Sequence, residues 1–224
     1  TRNFFKMIKI IKKILLRNSP CRSLQKIESE KFKLKGTCLE IGNTDYNKKS
    51  FFNDFKLHKN HNLFFADILK IKKKNYFRLN LEKKNILRKK FDTIIIFNVL
   101  EHVYDINNAL KEIKKILKPK GKIIISTPFI YRYHQAPKDY NRYTLDFYEV
   151  LAKSHNLKIY YKKNLGTGPF LASYSIIHNV INLFKPLNLI PLALAIVLDK
   201  TIGFFFKKIP SLYPICNFVI FKNN

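Results

Sequence analysis

The stretch that most constrains this chain is Phe91–Phe97 (FDTIIIF), a near-continuous run of β-branched and aromatic residues. Such a run, lacking alternation, reads as a parallel strand covered on both faces. The residues after it agree. Ile106, Ala109, Leu110, Ile113, Ile116 and Leu117 recur at helical spacing, and Asp105 is placed to cap the helix they predict. Pro119-Lys120-Gly121 ends that helix, and Lys122–Thr127 (KIIIST) returns as a strand. Upstream, Thr37–Ile41 (TCLEI), Asn62–Ala66 (NLFFA) and the weaker Asn75–Leu79 read as three further strands. Downstream, Thr144 caps a predicted helix over Leu145–His155 that leads to a strand at Leu157–Tyr161. Strands alternating with helices predict an open, doubly wound, mostly parallel α/β sheet with right-handed crossovers.

Both ends of the chain depart from this rhythm. Residues 3–17 carry apolar side chains at 4, 7, 8, 11, 14 and 15 and lysines between them, a basic amphipathic helix. It suits either a lipid interface or the surface of the domain itself. Residues 169–208 are strongly apolar, but the uncharged stretch Pro186–Leu198 is too short to span a bilayer. Two short helices that cap a cleft or lie on a membrane fit better. Pro214–Phe221 then reads as the last strand. The expected organisation is a basic helical segment over 1–34, an α/β domain over 35–168 and 209–224, and an apolar helical insertion over 169–208.

Composition bounds the partners. Lys+Arg 43 against Asp+Glu 15 gives a formal charge of +28, yet only seven of these residues are Arg and the lysines are scattered. Nucleic-acid readers lean on Arg for bidentate contacts, so nucleic acid is the least favoured partner. A solvated Lys-rich surface comes first and an anionic membrane face second. Cys21, Cys38 and Cys216 have neither disulfide-framework nor zinc spacing, which fits a reducing, cytoplasmic compartment. No secretion signal is visible at the start of the sequence. His58 and His61 lack carboxylate or cysteine company, so no metal site is expected.

Ligands of open α/β sheets sit beyond the carboxyl ends of the strands. Here those ends are mostly polar: Glu40-Ile41-Gly42-Asn43-Thr44-Asp45 after the first strand, then Asp67, Asn80, Asn98 and Thr127. Asp67 can accept hydrogen bonds from ribose hydroxyls, and Asn80 can meet an adenine edge. The G-x-G-x-x-G phosphate cradle of dinucleotide sites is absent.

The segments CLEIG (38–42), FDTIIIFNVLEHVYD (91–105) and LKPKGKIIISTPF (117–129) together resemble class I S-adenosylmethionine-dependent methyltransferases, in the branch called methyltransferase type 11. HQAPKDYNRYT (134–144) is similar to a stretch found in methyltransferases that accompany bacterial surface-polysaccharide and lipid-linked sugar genes. The resemblance implies a seven-stranded Rossmann-like sheet and S-adenosylmethionine as cofactor. It implies Glu40 and Gly42 at the methionine end, Asp67 at the ribose, Asn80 with Leu81 flanking the adenine, and Asn98 near the methyl group. Where this family's first loop usually holds two or three glycines, GNTDY keeps only Gly42. Asn43, also expected at the cofactor, tolerates left-handed geometry and substitutes in part for a second, while its side chain and that of Thr44 are expected to crowd a bound ligand.

An alcohol acceptor benefits from a base. His134 is the first candidate, with Asp139 as the base itself or as its orienting partner, and with Tyr140 and Arg142 as hydrogen-bonding groups for a sugar, carboxylate or phosphate. The same residues read equally well as a loop clasp in which Asp139 pairs with Arg142. Glu101-His102 divides in the same way between the site and helix-start polarity. The expected function is O-methylation of a glycan or lipid-linked saccharide at the cytoplasmic face of a bacterial plasma membrane, in polysaccharide biosynthesis. The alternative is a non-catalytic binding or scaffold protein with a decayed cofactor loop.

Overall fold

The Phe91–Phe97 run forms the middle strand, β4, of a seven-stranded sheet in a computed structural model that describes residues 8, 10–15, 19–84, 87–135, 138–181 and 188–224. Its neighbours β1 (Lys33–Ile41) and β5 (Leu117–Ser126) both run parallel to it. On the β1 side, β2 (Lys56–Asp67) and β3 (Tyr76–Arg78) continue the parallel pairing. On the other side, β7 (Cys216–Asn223) pairs antiparallel with β5, and β6 (Leu157–Leu165) forms the edge. The strand order is therefore β3-β2-β1-β4-β5-β7-β6, an open mixed sheet that is mostly parallel. Order reverses between β1 and β4, which puts a ligand crevice at their carboxyl ends.

The β4 sequence explains its place. Ile94, Ile95 and Ile96 are all 0% exposed, so both faces of the strand are covered. On one face Ile94 and Ile96 pack with Ile106, Ala109, Leu110 and Ile113 of α2 (Ile106–Lys115). On the other, the Phe97 ring sits among Phe51, Phe55 and Phe218. Each such aliphatic side chain contributes about 1.5–3 kcal/mol on burial. The helix α3 (Leu145–Ser154) adds Tyr148 and Leu151 to the same core.

Two compact units make up the described chain: Ser29–Thr127, Tyr133–Lys163 and Phe218–Asn224 in the larger, and Thr1–Glu28, Pro128–Arg132 and Asn164–Asn217 in the smaller. The smaller contains α1 (Pro20–Ser29), α4 (Pro169–Ile181), α5 (Leu189–Phe205) and the short α6 (Ile209–Leu212). Asp199 of α5 is 1% exposed and accepts from Thr167 Oγ1 and from the Phe170 and Leu171 amides at 2.5–3.0 Å. It thereby ties down the first turn of α4, where free N–H groups need an acceptor. Among the described residues no helix is long and apolar enough to cross a membrane. Of the expected N-terminal helix, residues 10–15 are helical, with Ile10 and Ile14 buried and Leu15 exposed; positions 4 and 7 lie outside the described residues.

Several boundaries differ from the sequence pattern. Helix α2 stops at Lys115, with Ile116 as its cap, because the Ile116 carbonyl accepts the Phe91 amide and Leu117 already pairs with Phe91 in the ladder. Pro119-Lys120-Gly121 thus lies inside β5, not between helix and strand, and Lys120 adopts φ 60° there. Strands β1 and β2 begin earlier than their apolar segments, since ladder pairing from Lys33↔Lys56 onward compensates for polar side chains. The β1–β2 crossover holds a single 3-10 turn, Phe51–Asp54, packed through its phenylalanines.

Candidate active site at the carboxyl ends of the strands

Strand β1 delivers Ile41 and Gly42 to the crevice, where the Gly42 amide bonds the Ala66 carbonyl at 2.8 Å and the backbone turns at φ +92°. A side chain there would be strained, and a Cβ would meet Val99 Cγ2 at 2.4 Å. Strand β2 ends in Asp67, whose Oδ1 accepts the Leu69 amide at 3.1 Å. Past β3, Asn80 accepts from the Glu82 amide at 2.9 Å, and Leu81 is buried. Strand β4 ends in Asn98, held at φ 54° with its amide on the Ser126 carbonyl. Asparagine is among the few non-glycine residues that tolerate this region. Gly42, Asp67, Asn80, Leu81 and Asn98 all line one cleft of ≈ 670 Å³, together with Val99, His102, Lys138 and Tyr140. That volume falls within the usual range for small-molecule sites.

Glu40 and Asn43 lie outside that lining. The Glu40 carboxylate is 1% exposed and accepts from Ser50 Oγ at 2.6 Å, from the Phe51 and Phe52 amides, and from Asn43 Nδ2 at 3.0 Å. Burial raises its pKa, and these four donors oppose the rise. Glu40 therefore organises the 43–52 loop. Asn43 does not take the left-handed backbone expected of a glycine substitute; Gly42 does so alone in this loop. Instead Asn43 folds back, donating to Glu40 and accepting from the Thr44 amide at 2.8 Å, so its side chain stays out of the cleft.

The second group of expected residues gathers beside the cleft on the segment after β5. Arg142 grips Asp139 through two nitrogens at 2.5 and 2.7 Å, and Asp139 also accepts the His134 amide at 2.9 Å. These partners, the Arg142 hydrogen bonds first, hold the Asp139 carboxyl at about 2. A carboxylate that acidic is a poor proton acceptor at neutral pH, so Asp139 works here as a clasp. Tyr140 stands 42% exposed at the mouth of the cleft, edge-on to Tyr104 at 5.5 Å. His102, not His134, is the imidazole on the cleft wall. Ala136 and Pro137, within the 134–144 stretch, lie outside the described residues.

Behind that wall is Glu101, fully buried and close to both imidazoles. Desolvation lifts its pKa to about 8, with its own backbone N–H and then Arg142 opposing the rise and Asp139 adding to it. Its backbone carbonyl receives the Tyr140 amide at 2.8 Å, so this residue also anchors the segment that carries the clasp. The sequence left Glu101-His102 divided between the site and helix-start polarity. Nothing in the spacing indicated that His134 would return to it.

A methyltransferase domain model matches residues 15–159, about two thirds of the chain. Similar solved structures include a phosphoethanolamine N-methyltransferase 2 from Haemonchus contortus, bound to phosphomonomethylethanolamine and S-adenosylhomocysteine. It is 16% identical with a TM-score of 0.53, over 89% of this chain and 52% of that one. A SAM dependent methyltransferase from Aquifex aeolicus is 13% identical with a TM-score of 0.54, over 96% and 98%. A putative sarcosine dimethylglycine methyltransferase from Galdieria sulphuraria is 14% identical with a TM-score of 0.55, over 93% and 88%. The chain spans about half the length of the Haemonchus enzyme, and at these identities the likeness carries the fold. No curated protein matches the sequence.

Proposed function

The chain belongs to the methyltransferase domain family, and from that premise we propose that it uses S-adenosylmethionine to methylate an oxygen of a glycan or lipid-linked saccharide at the cytoplasmic face of a membrane. The observation that carries the donor half is the cleft lined from the ends of β1, β2, β3 and β4. Its residues fit the cofactor. Asp67 offers carboxylate oxygens for ribose hydroxyls, Asn80 a polar edge, and Leu79, Leu81 and Val103 apolar surface for a flat base. Gly42 keeps that wall free of a Cβ. When bound, S-adenosylmethionine supplies an electrophilic methyl group on a sulfonium.

The chain's own task is to hold donor and acceptor in line and to keep water out, an effect that can reach about 7–11 kcal/mol. Lys138 and the Tyr104–Tyr140 pair border the cleft mouth, a polar and aromatic rim of the kind that suits a sugar ring. Of the Glu101–His102–His134 group, His102 lines the cleft and is the imidazole that can take the proton of an acceptor hydroxyl, with Glu101 and His134 behind it. For the membrane half, the smaller unit exposes Phe204, Phe205 and Phe206 at 64–77%, and Lys207 and Lys208 come directly after them. An apolar tip beside lysines has the chemistry of contact with an anionic lipid surface. The inward fold of Asn43 supports a working donor site over the scaffold alternative.

Calorimetric titration with S-adenosylmethionine and S-adenosylhomocysteine tests the donor half. Saturable binding should weaken at least ~10-fold in Asp67→Ala, equivalent to about 1.4 kcal/mol. No binding by the folded wild-type protein would return the scaffold reading. Two of the similar structures are named for amine substrates, so an acceptor screen of saccharides against small amines decides between oxygen and nitrogen. Flotation with anionic liposomes tests the membrane half.

A further inference from the structure

We propose that Glu101, His102 and His134 form a binding site for one divalent first-row transition metal ion, of the Zn2+ class, at the inner wall of the cleft. One oxygen or ring nitrogen from each residue lies within 4.8 Å of the others. Glu101 Oε1 is 3.8 Å from His102 Nε2 and 4.0 Å from His134 Nε2, too far for hydrogen bonds and close to the spacing of ligand atoms. Metal bonds of about 2.0–2.1 Å in a tetrahedral arrangement place ligand atoms about 3.3 Å apart, so each Glu101–imidazole pair need close only by about half an ångström and the two imidazoles by no more than about 1.5 Å.

An independent observation points the same way. The Glu101 carboxyl is 0% exposed, and among the described residues no other residue donates a hydrogen bond to either of its oxygens; the one donor near them is its own backbone N–H, outside good hydrogen-bond geometry. A buried carboxyl in that position either keeps its proton or holds a cation in the proton's place, and metal binding would release that proton. The surroundings also orient the His102 imidazole as a ligand and place a carboxylate behind His134, without a hydrogen bond to its Nδ1. His102 Nδ1 meets the Lys138 carbonyl at 2.6 Å, which places the proton on Nδ1 and leaves the Nε2 lone pair facing Glu101. His134 Nδ1 lies 3.4 Å from Asp139 Oδ2, and Arg142 holds that carboxylate in turn. A carbonyl or carboxylate behind a ligating imidazole is the usual support for a metal-bound histidine.

Two imidazoles and one carboxylate favour zinc, cobalt, iron or manganese over magnesium or calcium, which prefer oxygen ligands. Three protein ligands leave a further position open for a small ligand, and His102 is the one of the three that also lines the cleft. There the ion would coordinate an acceptor hydroxyl and make its proton more acidic, so that the proton passes to solvent water as the oxygen takes the methyl group from the sulfonium, with His102 acting as ligand instead of base. That role rests on the methyl-transfer reading; the site itself rests on geometry alone.

The test is titration of chelator-treated, full-length protein with Co2+, monitored by visible d–d absorption, with Zn2+ as competitor. One equivalent should bind. His134→Gln and the isosteric Glu101→Gln should each weaken binding at least ~10-fold, Asp139→Asn about 10-fold through His134, and His58→Gln not at all. Circular dichroism verifies that each variant is folded. The absence of saturable Co2+ uptake by folded wild-type protein would overturn the site, as would uptake unchanged in both ligand variants. S-adenosylhomocysteine titration of the same samples separates the two proposals. Cobalt binding without nucleoside binding keeps the metal site and removes the methyl-transfer role, and the reverse result keeps only the methyltransferase reading.

Discussion

Replacing Gly42 with alanine probes the wall of the cleft with a single methyl group. At φ +92° an L-residue is strained by about 1–2 kcal/mol. The new Cβ would also sit 2.4 Å from Val99 Cγ2, about 1 Å inside ordinary contact distance. Val99 is β-branched and stiff at χ1, so yielding costs it a further ~1 kcal/mol and moves a methyl group along the cleft. The two effects sum to about 2–3 kcal/mol. Urea unfolding of Gly42→Ala should show that loss of stability, and calorimetry should show S-adenosylhomocysteine binding weakened at least ~10-fold. The double variant Gly42→Ala/Val99→Ala removes the clash but not the backbone strain, so it should recover only about 1 kcal/mol of coupling. Wild-type stability and affinity in Gly42→Ala would refute both the backbone geometry and the placement of the donor site.

Asp139 should make stability depend on acid. Its folded pKa of about 2 lies below the unfolded value near 4, so the stabilisation is fully present above about pH 4 and is lost as the pH falls toward 2. Wild type should therefore exceed Asp139→Asn by about 2 kcal/mol in urea melts at pH 7, with the gap closing near pH 2; a gap independent of pH would contradict the Arg142 clasp. Asp199→Ala should cost about 1–3 kcal/mol in thermal unfolding, because the Thr167 hydroxyl and two α4 amides lose their acceptor. Cys38, pushed up to about 12 by burial and by Asp92, should resist alkylation at pH 8 until the protein is unfolded, as mass spectrometry would show.

Much of the fold was legible because it is written locally. The Phe91–Phe97 run and the helical spacing of Ile106, Ala109, Leu110 and Ile113 record burial directly, since side chains that face a core must be apolar at the period of their element. The polar residues that end β2, β3 and β4 were legible for a related reason, because Asp67, Asn80 and Asn98 close apolar strands and so fall at the crevice. Boundaries were less legible. Whether Leu117 belongs to helix or strand depends on its partner Phe91, and the length of β2 depends on the pairing it finds in β1. The antiparallel placement of β7 between β5 and β6 has no local signature at all.

The candidate site divides in the same way. The sheet, the crevice and the residue types that reach it follow from local pattern along the chain. Contacts between distant segments are what bond Glu40 to its own loop, fold Asn43 away from the cleft and bring His134 to Glu101 and His102. Periodicity reports the environment of one element at a time. The meeting of Glu101 with His134 depends on the path of the chain through α2 and β5 and on the Arg142–Asp139 clasp that turns the next segment back.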